Sequence, residues 1–155
     1  RDRVSPSRRL TLVLLRLATA GDADQLARLF AILGYPCTPA EARTRVGLMD
    51  NQTRQRLLVA EREGMLLGLL ALDFMYYLPL GAVSCRVVAL AVAPVAQRQG
   101  IGRWLLREAE QQARHAGAAR VELTSAGHRI EAHAFYRQCG YEDTAVRFMK
   151  RLGDA

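Results

Sequence analysis

The chain is 155 residues long, 50% hydrophobic and 24% charged, which suits one buried core and excludes disordered, fibrous and disulfide-stapled classes. Its longest apolar runs, such as Leu66–Leu72, are far too short to cross a bilayer, so no membrane partner is expected. Of the net charge of +7, residues 1–16 carry five arginines and one aspartate, which leaves +3 for the rest and argues against nucleic acid as a partner.

The opening "RDRVSPSRRLTLVLLRL" is basic and then apolar, faintly like a secretory signal. Arg16 interrupts the apolar run after six residues, and no small-residue cleavage site follows. The expectation is a basic tail over residues 1–9 and a single domain over residues 10–155 of a cytoplasmic protein. The first residue is not Met, so a start upstream or a trimmed terminus is expected. Leu10–Thr19 reads as a strand. Asp22 is placed to cap a helix striped by Leu26, Leu29, Phe30 and Leu33 and ended by Gly34. Thr38 and Pro39 cap and open a second helix, to about Met49. Two apolar runs around "EREG" (Glu61–Gly64) read as a hairpin, and "SCRVVALAV" (Ser84–Val92) as a further strand closed by Pro94. Ile101, Leu105, Ala109, Ala113 and Ala116 stripe a long helix that Gly117 ends. "ARVELTS" (Ala119–Ser125) reads as a strand, "IEAHAFYRQCG" (Ile130–Gly140) as a short helix, and "DTAVRFMKRL" (Asp143–Leu152) as a last strand. The order β-α-α-β-β-β-α-β-α-β describes an α+β domain whose long helix crosses between two parallel strands.

Cys37, Cys85 and Cys139 are odd in number, widely separated and free of any CxxC, so neither disulfides nor zinc are indicated. His115, His128 and His133 lack partners at ligand spacing, so no metal is expected. The chemistry concentrates instead in "QRQGIG" (Gln97–Gly102), which stands between a strand and a helix. Such a turn exposes backbone N–H groups, and the helix start adds about half a positive charge. A dinucleotide fingerprint would need a third glycine at Leu105, and a P-loop would need Gly-Lys-Ser/Thr where Gly102-Arg103-Trp104 stand. Both fail. A diphosphate across those amides, or simply a tight turn, remains.

The stretch Leu90–Leu106, with its Gln97-Arg98-Gln99-Gly100-Ile101-Gly102, resembles motif A of the GNAT acyltransferase superfamily. "LRLATAGDADQLARL" resembles the family's opening strand and first helix, and "AHAFYRQCGYE" its late tyrosine and glycine-aromatic motif, so the likeness covers nearly the whole chain in order. The resemblance implies a mixed, mostly antiparallel sheet with helices on both faces and splayed, parallel fourth and fifth strands. It implies acetyl-coenzyme A as cosubstrate. The backbone of Leu90, Ala91 and Val92 would pair with the pantetheine arm, and the amides of Gln97, Arg98, Gln99, Gly100, Ile101, Gly102 and Arg103 would hold the diphosphate. Arg129 would reach coenzyme phosphate or an acidic substrate group, or cap the helix start. Phe135 is counted with the coenzyme contacts, although its spacing with Ala132 and Cys139 also fits a core stripe.

By the same resemblance Tyr136 would protonate the departing thiolate, and the Val92 N–H would donate to the thioester oxygen. Two positions depart from the family pattern: Val88 stands where many relatives have a glutamate base, and Arg129 where an Asn is common. The base is therefore open between Asp73, Glu122 and a water chain. The implied activity is acetyl transfer to a primary amine of a small molecule by direct attack, in a monomer or homodimer. A protein or peptide N-acetyltransferase and a catalytically idle acyl-coenzyme A-binding module are the rival readings, with a nucleic-acid-binding domain third.

Overall fold

A computed structural model describes residues 12–125 and 130–153. The first strand, β1 (Leu14–Leu17), leads into a 3-10 turn over Ala20–Asp22 and then helix α1 (Ala23–Ile32). Asp22 is the N-cap residue of α1, as expected, but its side chain works elsewhere. Its side chain caps no helical N–H; it points back instead, accepting from the Thr19 N–H at 2.8 Å and from both Arg16 guanidinium nitrogens at 2.8 Å. Arg16 also donates to Glu61 at 2.6 Å, so one guanidinium joins β1, the helix start and the next strand. Gly34, at φ +88°, lets the chain leave α1.

Helix α2 (Pro39–Asp50) begins as its sequence directs. Glu41 N–H donates to Thr38 Oγ1 at 3.1 Å, and Pro39 occupies the first turn, where no N–H is needed. Strands β2 (Gln55–Arg62) and β3 (Met65–Tyr77) form the expected hairpin. Glu63 and Gly64 both take positive φ, +52° and +79°, which matches the twist of the flanking strands. Strand β4 (Ala82–Val92) returns alongside β3, helix α3 (Ile101–His115) crosses over, and β5 (Arg120–Leu123) completes the sheet. The order is β1-β2-β3-β4-β5, antiparallel except for the parallel β4–β5 pair.

This sheet carries a core on each face. Leu26, Leu29 and Val46 of α1 and α2 pack with Val59, Leu69 and Ala91 on one side. On the other, α3 buries Ile101, Leu105, Leu106, Ala109 and Ala113. Ala116, assigned to that stripe, is exposed, because α3 ends at His115 and Gly117 turns away at φ +74°.

The chain divides into two compact units at Thr124/Ser125. The second contains α4 (Ile130–Gln138), in which Ala132, Phe135 and Tyr136 are half-buried, as is Cys139 just beyond. Gly140 turns at φ +92°. The expected last strand is corrected: residues 141–153 hold no regular secondary structure, and Val146 and Phe148 are 78% and 92% exposed. Alternation says which face a strand would bury, but it supplies no partner row of N–H and C=O groups, and without one no strand exists.

Candidate functional site

Two irregularities in β4 create the site. Pairing with β5 runs only from Ser84↔Arg120 to Val87↔Leu123, while β4 continues five residues further, to Val92. On its other side, β4 pairs Leu72↔Val87 and Ala71↔Ala89, which leaves Val88 as an extra residue in a bulge. Val88 is 60% exposed. Beyond it, Leu90, Ala91 and Val92 stay paired with β3 through Leu70, Leu69 and Gly68, and among the described residues no strand pairs with their β5-facing edge, the open edge of β4. An extended chain can add to such an edge as a strand would.

The open edge leads into the glycine turn. Pro94–Ala96 form a 3-10 turn, and Arg98 takes φ +63° and Gly100 φ +80° before α3 begins at Ile101. Two side chains brace the loop: Gln97 donates to the Val92 carbonyl at 3.4 Å and Gln99 to the Val95 carbonyl at 3.0 Å. Gly100 is the N-cap, no side chain caps the helix, and no acid stands in the first turn. The first intrahelical bond ends on Gly100, from Trp104 N–H at 3.0 Å. The amides of Ile101, Gly102 and Arg103 thus have no helical acceptor, and Arg98 and Arg103 are exposed beside them. That arrangement suits a diphosphate in charge and in donor count. The expected contacts from Leu90 to Arg103 therefore form one continuous run of backbone.

Gly68 is a site residue the sequence reading passed over. A Cβ there would lie 2.7 Å from the Ala91 carbonyl oxygen and 3.1 Å from a Leu105 methyl. Its absence lets β3, β4 and α3 meet closely behind the open edge. A glycine inside an apolar strand was the available signal.

The two carboxylates considered as bases lie elsewhere. Asp73 is bidentate with Arg54 at 2.9 and 3.1 Å. Glu122 lies 3.0 Å from Arg86 and 3.2 Å from Arg120. Asp73, Arg86 and Glu122 form one cross-strand row, in the part of the sheet where β4 and β5 are still paired. Since Gly68 is level with Val92, Asp73 is five residues along β3, about 17 Å away at the rise of an antiparallel strand. Tyr136 and Phe135 belong to the second unit, where their rings sit 5.5 Å apart and Tyr136 meets Tyr141 edge-on at 6.4 Å. Arg129 lies outside the described residues. Among the described residues no group of three His, Cys, Asp or Glu could hold a metal ion, and no helix is long and apolar enough to cross a membrane.

The sequence pattern of the Acetyltransferase (GNAT) family matches residues 24–141, a span that includes the open edge, the glycine turn and Tyr136. The chain belongs to the GNAT family. It is 36% identical over 105 residues to the aminoalkylphosphonate N-acetyltransferase of Salmonella typhimurium, a match that covers 68% of this chain and 67% of that protein. A crystal structure described as a transcriptional regulator from Bacillus halodurans C-125 superposes with a TM-score of 0.83 at 26% identity, covering 90% of this chain and 99% of that one. An aminoglycoside acetyltransferase from an uncultured soil metagenomic sample, crystallised with trehalose, shares the fold at a TM-score of 0.76 and 22% identity, over 92% and 98% of the two chains. This GNAT chain is an acetyltransferase that acts on an amine, and its sheet has the family's parallel β4–β5 pair.

Proposed function

We propose that this GNAT protein transfers the acetyl group of acetyl-coenzyme A to the primary amine of a small molecule, by direct attack within a ternary complex. The observation that carries the reading is the unbroken path from the open β4 edge, past Leu90–Val92, to the uncapped start of α3 with Gly100 in the left-handed region. Bound there, the coenzyme would supply an activated thioester. The β4 backbone would align its extended arm, the Val92 N–H would polarise the carbonyl, and the turn amides with Arg98 and Arg103 would neutralise the diphosphate. Tyr136 would return a proton to the leaving sulfur.

Asp73 and Glu122, held by arginines away from the open edge, are not assigned the base, and water takes the amine's proton. The name of the Salmonella relative, an aminoalkylphosphonate N-acetyltransferase, favours a small amine over a protein acceptor. The test is thiol release from acetyl-coenzyme A with a panel of small amines and an N-terminal peptide, run beside thermal unfolding. Release with small amines and not with the peptide is expected. The coenzyme at a hundred times its dissociation constant should stabilise the fold by about 2.7 kcal/mol. Stabilisation without release from any amine would identify an idle binding module, and equal stabilisation by NAD or ATP would overturn the coenzyme assignment.

A further inference from the structure

A second groove, of roughly 520 Å³, lies where α1 passes over the β2–β3 turn and the end of β4. Its wall is apolar: Leu29, Leu66, Pro94 and the exposed Ile32, Met65 and Val95. Two charged side chains of opposite sign, Arg28 and Glu63, line it as well. Neither forms an ion pair or side-chain hydrogen bond with another described residue, so they share one groove and do not neutralise each other.

Their relative placement is fixed. Gln25, one helical turn before Arg28, donates to the Gly64 carbonyl at 3.1 Å and accepts from the Leu66 N–H at 2.8 Å. This clamps α1 to the tight turn that carries Glu63. Gln25, Arg28, Leu29 and Ile32 stand at i, i+3, i+4 and i+7, so a single helix face is turned into the groove. At its other end Ala93 and Pro94 line the groove, directly after Val92.

We propose that this groove is the acceptor subsite and that it selects a small zwitterion, a primary aliphatic amine that also carries an anionic group. The proposal rests on the N-acetyltransferase reading above. The guanidinium of Arg28 takes the anionic group, which it can bind through two nitrogens. The Glu63 carboxylate attracts the ammonium during docking, and the alkyl chain lies on Leu29, Met65 and Val95. A ligand bearing only a negative charge meets Glu63 unfavourably, and one bearing only a positive charge meets Arg28. Only a ligand of both signs is favoured by both. Before attack the ammonium gives its proton to water, and the neutral amine, no longer held by Glu63, is free to move toward Val92.

The experiment is calorimetric titration of the full chain with 3-aminopropionate, propylamine and propionate, together with thiol release from acetyl-coenzyme A. Arg28 and Glu63 are both exposed, so Arg28→Gln and Glu63→Gln should fold as the parent does. The zwitterion is expected to bind at least tenfold more tightly than either single-charge analogue. Arg28→Gln should remove that advantage while strengthening propylamine, and Glu63→Gln should weaken the zwitterion while strengthening propionate. Equal binding of 3-aminopropionate and propylamine by the parent would overturn the proposal. So would parent-like binding in both variants, or displacement of 3-aminopropionate by coenzyme A. Thiol release from propylamine without a zwitterion advantage would leave the enzyme reading standing and the groove assignment refuted. Charge-selective binding with no thiol release from any amine would refute the enzyme reading and the acceptor role with it, and would leave the groove as a zwitterion site only.

Discussion

Arg98 is one of two described non-glycine residues with positive φ, and it holds that conformation, at +63°, inside the glycine turn. A left-handed L-residue costs roughly 1–2 kcal/mol, and such strain gathers where function requires a particular backbone path. Arg98→Gly should therefore leave stability equal to the parent or up to about 1 kcal/mol higher in urea unfolding, allowing for the added freedom of the unfolded glycine. Its coenzyme affinity should fall several-fold through the lost cation. Unchanged affinity would show that Arg98 shapes the turn without touching phosphate. Tyr136→Phe isolates a different contribution. The half-buried ring remains in place, so unfolding should change little. Turnover should drop ~100-fold or more if the hydroxyl is the acid, with coenzyme affinity preserved. A drop below about threefold, with chemistry rate-limiting, would mark Tyr136 as packing.

At the scale of elements, the close meeting of β3, β4 and α3 sets the site. Gly68→Ala would press a methyl against the Ala91 carbonyl oxygen, 2.7 Å away, and a backbone atom cannot swing aside as a side chain can. A loss of about 1–3 kcal/mol is expected from such overpacking, and coenzyme binding should weaken with it because Ala91 lies on the open edge. A nearby control, Ala71→Gly on the same strand, should lose stability without that specific loss of coenzyme affinity.

Which elements were legible follows from how local their determinants are. Thr38, Pro39 and Glu41 begin α2 by contacts within four residues, and Glu63-Gly64 turn the hairpin by their own backbone preferences. Gly100 marked the turn for the same reason. Asp22 stands at the expected N-cap, but the work of its side chain was not legible because its partner, Arg16, lies on the strand before it. The spacing of Asp73 could not reveal that Arg54 holds it in the closed part of the sheet. Residues 143–152 alternate like a strand, but a strand also needs a neighbour, and alternation contains no information about one.

At the scale of the whole molecule, the Arg16 network makes stability depend on acid. The Arg16 hydrogen bonds hold the Asp22 carboxyl below the ordinary carboxylate range, and the Thr19 N–H adds to the effect. A carboxyl depressed in the folded state stabilises the fold above its unfolded value of about 3.9. That contribution is lost as pH falls through the lower, folded value. Asp22→Asn should cost about 1.5–3 kcal/mol at pH 7, by analogy with other charge-assisted hydrogen bonds. The gap from the parent should narrow as pH falls below about 3.9, where the unfolded chain's Asp22 takes up a proton first, and close below the lower, folded value. Urea unfolding at pH 7 and pH 2.5 measures both; a gap that stays constant would mean the network works through shape alone. Burial pushes the Cys85 thiol up to about 11, so its thiolate is scarce at neutral pH.

The extra residue at Val88 acts on β4 as a one-base insertion acts on a gene. Upstream, Cys85 and Val87 are buried apart from the α1–α2 core; downstream, Ala89, Ala91 and Ala93 belong to it or pack against it. Every side chain after the bulge is thus read in the other phase, although the sequence alternates at the same odd numbers throughout. Deleting Val88 would leave Val87 and Ala89 opposite the consecutive residues Leu72 and Ala71, so each later side chain would keep its face and its partner on β3, and only the local bend and twist of the bulge would be lost. Keeping Val88 but pairing it regularly with Ala71 would do the opposite: Leu90 and Val92 would be driven into space sized for alanines, and Ala89 and Ala91 would face α3. The bulge thus sets the phase on which both cores and the edge proposed for the coenzyme depend.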